Sequence, residues 1–255
     1  MTETREFAAD ELRVRVYRTK SDMGQAAARD IATELRETLD RQASARMIFA
    51  SAPSQDTMLA ALAQAPDIDW SRVTALHMDE YLGLPADAPQ RFGSYLVERL
   101  FRQVRPGRVE LIADGDPARE AARYADLVAQ APVDLVCLGI GENGHIAFND
   151  PDVADFADPV LAKVVALDER SRVQQVNDGC FAAVDDVPTH AITLTIPALT
   201  GGRRLFCCVP GPTKAAAVAR TLAGPIDTDC PASILRNHAG CTLYLDADSA
   251  PSPTQ

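Results

Sequence analysis

Four polar clusters in this chain bring together residue types that move protons and hold anions. The first is Gly139-Ile140-Gly141-Glu142-Asn143-Gly144-His145, followed by Asn149-Asp150-Pro151. Glycines so closely spaced let backbone N–H groups turn toward a small ligand, with Gly141 and Gly144 as contact positions. An imidazole beside acidic and amide groups, here His145 with Asp150, suits proton shuttling near neutral pH. The second is His77-Met78-Asp79-Glu80. Asp79, or the Asp79–Glu80 pair, could take a proton from carbon beside a carbonyl if burial lifts its pKa; it could equally tie a loop or cap a helix. His77 and Asp79 stand two apart, so a strand would give them one face. The third, Pro210-Gly211-Pro212-Thr213-Lys214, resembles an anion site of helix N–H groups plus an ammonium; by itself Lys214 could equally be a solvated lysine. The fourth is Ser51-Ala52-Pro53-Ser54-Gln55, where Ser51, Ser54 and Gln55 either donate to the same anion or cap their helix.

Each cluster follows an apolar run: Ala45 to Ala50, Val73 to Met78, Val133 to Leu138, and Arg203 to Val209. Turns that follow strands of a parallel sheet share one edge, so the four clusters are expected to converge. Further strand patterns cover Leu12 to Tyr17, Val109 to Leu111, Leu161 to Leu167, His190 to Thr195 and Thr242 to Leu245. Helical stretches lie between them. One runs from a cap at Ser21 or Asp22 to about Arg41, and another from Asp116-Pro117 to about Gln130. The alternation predicts an α/β protein with a mainly parallel sheet and helices on both faces. No repeat or linker divides the chain, so a single domain is expected over 1–255, with loose tails at 1–10 and 249–255. The acidic stretch from Asp152 to Pro159 is irregular and could act as a lid.

The 255 residues carry a formal net charge of -11, which argues against nucleic acid and anionic membranes as partners. The amino terminus has no signal-peptide core, and no apolar stretch approaches the roughly 20 residues of a membrane span. The six cysteines lie mostly in apolar runs without metal-type pairing. They read as reduced core residues of a cytoplasmic protein. Neighbours Cys207 and Cys208 are expected on opposite faces of a strand.

Three runs resemble the glucosamine-6-phosphate deaminase/isomerase family and, more broadly, its 6-phosphogluconolactonase relatives. They are HMDEYLGL from His77, GIGENGHIAFNDP from Gly139, and GPTKA from Gly211. The similarity spans roughly Val14 to Asp246 in the same order. The ending Ile146-Ala147-Phe148-Asn149 resembles the deaminase branch. The resemblance implies a Rossmann-like domain and a reaction without cofactor or metal. An amino sugar phosphate would open its ring, isomerise to a ketose imine and release ammonia. By position, Asp79 would move the proton between C2 and C1, His145 would open the ring, and Lys214 would hold the phosphate, with Glu80 also at the substrate. Assembly as a homo-oligomer is compatible with the chain.

Several positions depart from the family pattern. Asn143 stands where many members carry an aspartate two residues before the histidine. Asp150 replaces a glutamate and is one methylene shorter, so contact with His145 would need a shift or a bridging water. The first loop lacks its two glycines. An arginine expected on the phosphate appears as Gln175 or Asn177, and Arg172 matches a different family arginine. Two other readings remain open at this point: a sugar-lactone hydrolase, and a sugar-phosphate-binding protein without catalysis.

Overall fold

The computed structural model describes residues 3–251. Eleven strands are β1 (Glu3–Ala9), β2 (Leu12–Tyr17), β3 (Ala45–Phe49), β4 (Val73–His77), β5 (Asp79–Tyr81), β6 (Arg108–Glu110), β7 (Leu135–Leu138), β8 (Ala162–Ala166), β9 (His190–Leu194), β10 (Arg204–Val209) and β11 (Cys241–Leu245). The main sheet has the order β1-β2-β11-β10-β7-β3-β4-β6, parallel except where β1 pairs antiparallel with β2. A second sheet, β5-β9-β8, is antiparallel. After β3 the chain builds outward to β4 and β6, then returns to place β7 on the other side of β3. That reversal between β3 and β7 is where open α/β sheets leave a crevice.

The helices are α1 (Lys20–Arg41), α2 (Asp56–Ala63), α3 (Phe92–Leu96), α4 (Arg102–Val104), α5 (Pro117–Ala129), α6 (Glu169–Asn177), α7 (Ile196–Thr200) and α8 (Ala215–Ala223). Thr19, rather than Ser21 or Asp22, caps α1, its side chain accepting from the Asp22 N–H. Asp116 caps α5 with Pro117 in the first turn, as the sequence predicts. Leu135 and Cys137 face one apolar cluster while Val136 and Leu138 face the other, so β7 is covered on both sides. Cys207 and Cys208 divide between the same two clusters, on opposite faces as expected.

Three expectations change. The stretch taken as a loose amino-terminal tail forms β1 from Glu3 onward. At the other end Ser249 is fully buried and donates its N–H to Asp246, so the supposed tail is anchored where it begins; 252–255 lie outside the described residues. The third concerns β5, β8 and β9. They leave the main sheet and form their own around Tyr81, Phe92, Phe148, Val165, Val187 and Ala191. The acidic segment after Pro151 is tied down by Lys163, whose Nζ reaches Val153 O and Asp158 Oδ2 at 2.7 Å each.

Candidate active site

The carboxyl ends of β10, β7, β3 and β4 lie side by side, and the residues after them line one cleft. Ser51, Ser54 and Gln55 follow β3, Asp79 follows β4, Gly141 and His145 follow β7, and Lys214 follows β10. Phe92, Phe148, Gln174 and Gln175 complete the walls. The convergence expected from four strand ends is therefore present.

Asp79 opens β5 and is 6 % exposed. Burial, reinforced by the neighbouring Glu80 charge, pushes its carboxyl well above the usual range. Glu80 does not line the cleft, contrary to its expected place at the substrate. Its carboxylate accepts backbone N–H groups of Tyr81 and Phe92 at 3.0 Å and of Gly93 at 2.9 Å, with Arg91 Nε 3.5 Å away. It thereby pins Phe92 into the wall. His77 also departs from expectation. The backbone leaves the main sheet at Met78, so His77 and Asp79 do not continue one strand face. His77 Nε2 accepts the Ile112 N–H at 2.8 Å and the ring meets Tyr124 edge-on. Burial, with the Arg91 charge, lowers its pKa to about 3, which leaves a neutral structural imidazole.

His145 is held through one nitrogen. Around Nδ1 stand Asn143 Oδ1 at 2.8 Å, Ser171 Oγ at 2.9 Å and Asp150 Oδ1 at 3.0 Å. The Asn143 amide donates to Asp150 at 2.9 Å, and the Ser171 hydroxyl donates to the same oxygen. Three acceptors around one nitrogen assign the ring proton to Nδ1 and leave Nε2 with an open lone pair. Burial pushes the Asp150 carboxyl up, but hydrogen bonds from His145, Asn143 and Ser171 outweigh it and hold the pKa at about 2. The shorter Asp150 thus reaches His145 directly, without the shift or water its length suggested.

The glycines serve this loop more than a ligand. A Cβ on Gly141 would lie 2.1 Å from Cε1 and 2.2 Å from Nε2 of His145, so the bare Cα is the surface on which the ring rests. The Gly141 N–H is taken by His145 O at 2.9 Å. Gly144 adopts φ 94°, donates to Gly141 O and stands away from the cleft, against Cys230.

In the same lining Lys214 is 6 % exposed, and its ammonium has no hydrogen-bond partner among the described residues. Burial lowers its pKa, against the pull of Asp178 and Glu142. The Ser51 hydroxyl donates to Phe92 O at 3.2 Å, and Gln55 Nε2 donates to Cys208 O at 3.1 Å, so both brace the wall. Arg172 turns its guanidinium onto the carbonyls of Val184 and Val187 and is absent from the cleft, whereas Gln175 lines it. Sequence reasoning missed Ser171 and Gln174 as site residues; the only available signal was their place in a polar helix beside the expected phosphate position.

Strand β9 joins the two halves. Thr193 lies opposite Asp79 in the small sheet, and its Oγ1 accepts the Phe148 N–H at 3.1 Å. Leu194 donates its N–H to Met78 O at 2.7 Å and accepts from the Asn149 side chain at 2.8 Å. The segments carrying Asp79 and His145 are thus fastened to one strand.

A mostly parallel, helix-flanked sheet with a polar cleft at its strand reversal defines a Rossmann-like α/β enzyme. A family model described as glucosamine-6-phosphate isomerases/6-phosphogluconolactonase matches residues 18–244. A glucosamine-6-phosphate deaminase of Listeria monocytogenes is 35 % identical over 205 residues, covering 79 % of this chain and 85 % of that protein. One from an Exiguobacterium species is 41 % identical over 186 residues, covering 72 % and 71 %. The structure of a monomeric glucosamine-6-phosphate deaminase superposes with a TM-score of 0.84 at 30 % identity, covering 92 % of this chain and 98 % of that one. The 6-phosphogluconolactonase of Trypanosoma brucei shares the fold, with a TM-score of 0.77 at 18 % identity over 94 % of this chain and 98 % of its own. The chain belongs to the glucosamine-6-phosphate isomerase/6-phosphogluconolactonase family and is an enzyme of that isomerase/hydrolase kind. Among the described residues no helix is long and apolar enough to cross a membrane.

Proposed function

We propose that this enzyme converts an amino sugar phosphate of the glucosamine 6-phosphate type to a ketose phosphate and ammonia. The observation that carries this reading is that Asp79 and His145, 66 residues apart in sequence, line one cleft together with Lys214. His145 Nε2 takes the proton from the O1 hydroxyl and returns one to O5, breaking the C1–O5 bond. The Asp79 carboxylate then removes the C2 proton while O1 is protonated, giving an enolamine. Returning that proton to C1, with loss of one from nitrogen, leaves the C2 imine. Water adds at C2 and ammonia departs, so one water enters for each ammonia released. The raised pKa of Asp79 suits a group that must both take and return a proton near neutral pH. Lys214 holds the distal anion.

The test is ammonia release from glucosamine 6-phosphate, with deuterium uptake at C2 of recovered substrate and at C1 of the product followed in D₂O. Asp79→Asn is expected to lose activity by about 10²-fold or more. Lactone hydrolysis needs no C2 exchange, so turnover of a sugar lactone without that exchange sinks the proposal in favour of the hydrolase. Ligand-induced thermal stabilisation with no turnover does so in favour of a binding protein.

A further inference from the structure

The side chains lining the cleft carry less positive charge than the two negative charges of a phosphate dianion. Apart from His145, Lys214 is the one lining residue with a basic side chain among the described residues. Its ammonium also sits in the field of two carboxylates outside the lining, Asp178 and Glu142. Among the described residues Asp79 is the only carboxylate in the lining. The other side-chain donors of the lining are neutral, and Gln175 stands on α6 three residues before Asp178, whose charge reaches Lys214. Gln175 is 8 % exposed and its side-chain amide has no protein partner among the described residues. Ser54 accepts from Gln55 at 3.0 Å and keeps its own hydroxyl proton free. Gln55 and Gln174 are committed elsewhere, to Cys208 O and to Glu142 N and Asp178. Pro53 in the same turn has no N–H to offer. One ammonium and two uncommitted neutral side-chain donors match one negative charge; a second charge against these buried side chains stays uncompensated.

We propose that the anion end of this cleft is built for a single negative charge, with Gln175 as the specificity-determining residue, and that it takes hexosamine 6-sulfate esters and the monoanionic form of hexosamine 6-phosphates. This rests on the reading of the cleft as an amino-sugar site. A phosphate monoester loses its second proton near pH 6, so about 1 % remains monoanionic at pH 8. A sulfate monoester keeps one charge throughout. Under this reading both bound esters carry one charge, so a change in the protein's own charge with pH cancels in their ratio.

The experiment is calorimetric binding of glucosamine 6-phosphate and glucosamine 6-sulfate to the Asp79→Asn protein between pH 5.5 and 8. The ratio of Kd for phosphate to Kd for sulfate is expected to rise toward about 100-fold across that range, and Gln175→Arg is expected to flatten the rise. A ratio that stays constant, or phosphate binding about tenfold tighter than sulfate at pH 8, overturns the proposal, as does failure of both esters to bind. Ammonia release by wild-type enzyme, measured in parallel, separates the two readings. Release with a constant ratio removes the charge preference and leaves the deaminase assignment standing.

Discussion

Replacing Asp150 by asparagine tests the arrangement around His145 most directly. The carboxyl is 1 % exposed and is held at about 2 against an ordinary 3.8, although burial alone would raise it. At about 1.4 kcal/mol for each tenfold change in proton affinity, that difference corresponds to roughly 2 kcal/mol favouring the charged form in the fold. A depressed carboxyl pKa stabilises above its unfolded value, and the stabilisation is lost as pH falls through about 2. Asp150→Asn is therefore expected to lose about 2 kcal/mol in urea unfolding at pH 7, with the gap from wild type narrowing as the pH falls below about 4. The introduced amide can also present N–H to Nδ1, which favours the tautomer with its proton on Nε2. The expected fall in kcat is on the order of 10²-fold to 10⁴-fold. Stability within about 0.5 kcal/mol of wild type at pH 7, together with unchanged kcat, would refute the reasoning.

Three further outcomes follow from the same geometry. Asp79→Asn should be more stable than wild type at neutral pH. A raised carboxyl pKa makes the fold lose stability as pH climbs from the unfolded value through the folded one, and the amide carries no such penalty; thermal melts at pH 4 and pH 8 check this, and a variant less stable at pH 8 contradicts it. Glu80→Gln removes the charge that helps raise Asp79, so the acidic limb of the kcat/KM profile should move to lower pH, and an unmoved limb counts against the coupling. Gly141→Ala places a methyl inside the His145 ring position, so kcat should fall by about 10²-fold or more with the fold retained by circular dichroism; near-normal turnover would show that the ring can shift without consequence.

The apolar run of β7 and the strand–turn–helix alternation were readable because a strand buried on both faces leaves no alternation to misread. Asp79, His145 and Lys214 were readable because each ends such a run. β1 was hidden because ETREFAA is mostly polar, and an edge strand held from one side needs no apolar period. The small sheet was hidden for another reason. The pattern of His190 to Leu194 specifies a strand but not its partner, and nothing local says that β5 leaves β4 after one residue. Ser171 and Gln174 sit in a helix whose string of charges and amides resembles a solvated surface; both are buried only because that helix packs over the cleft. The glycine-rich turn misled in the opposite direction, since its N–H groups close the loop instead of greeting a ligand.

Because β9 fastens both reacting segments, the gap between base and imidazole is set by a strand outside the large sheet. Twisting or breathing of the eight main strands then carries the pair along as one piece. On warming, turnover should fade when this short brace comes loose, which can happen well before the main body melts.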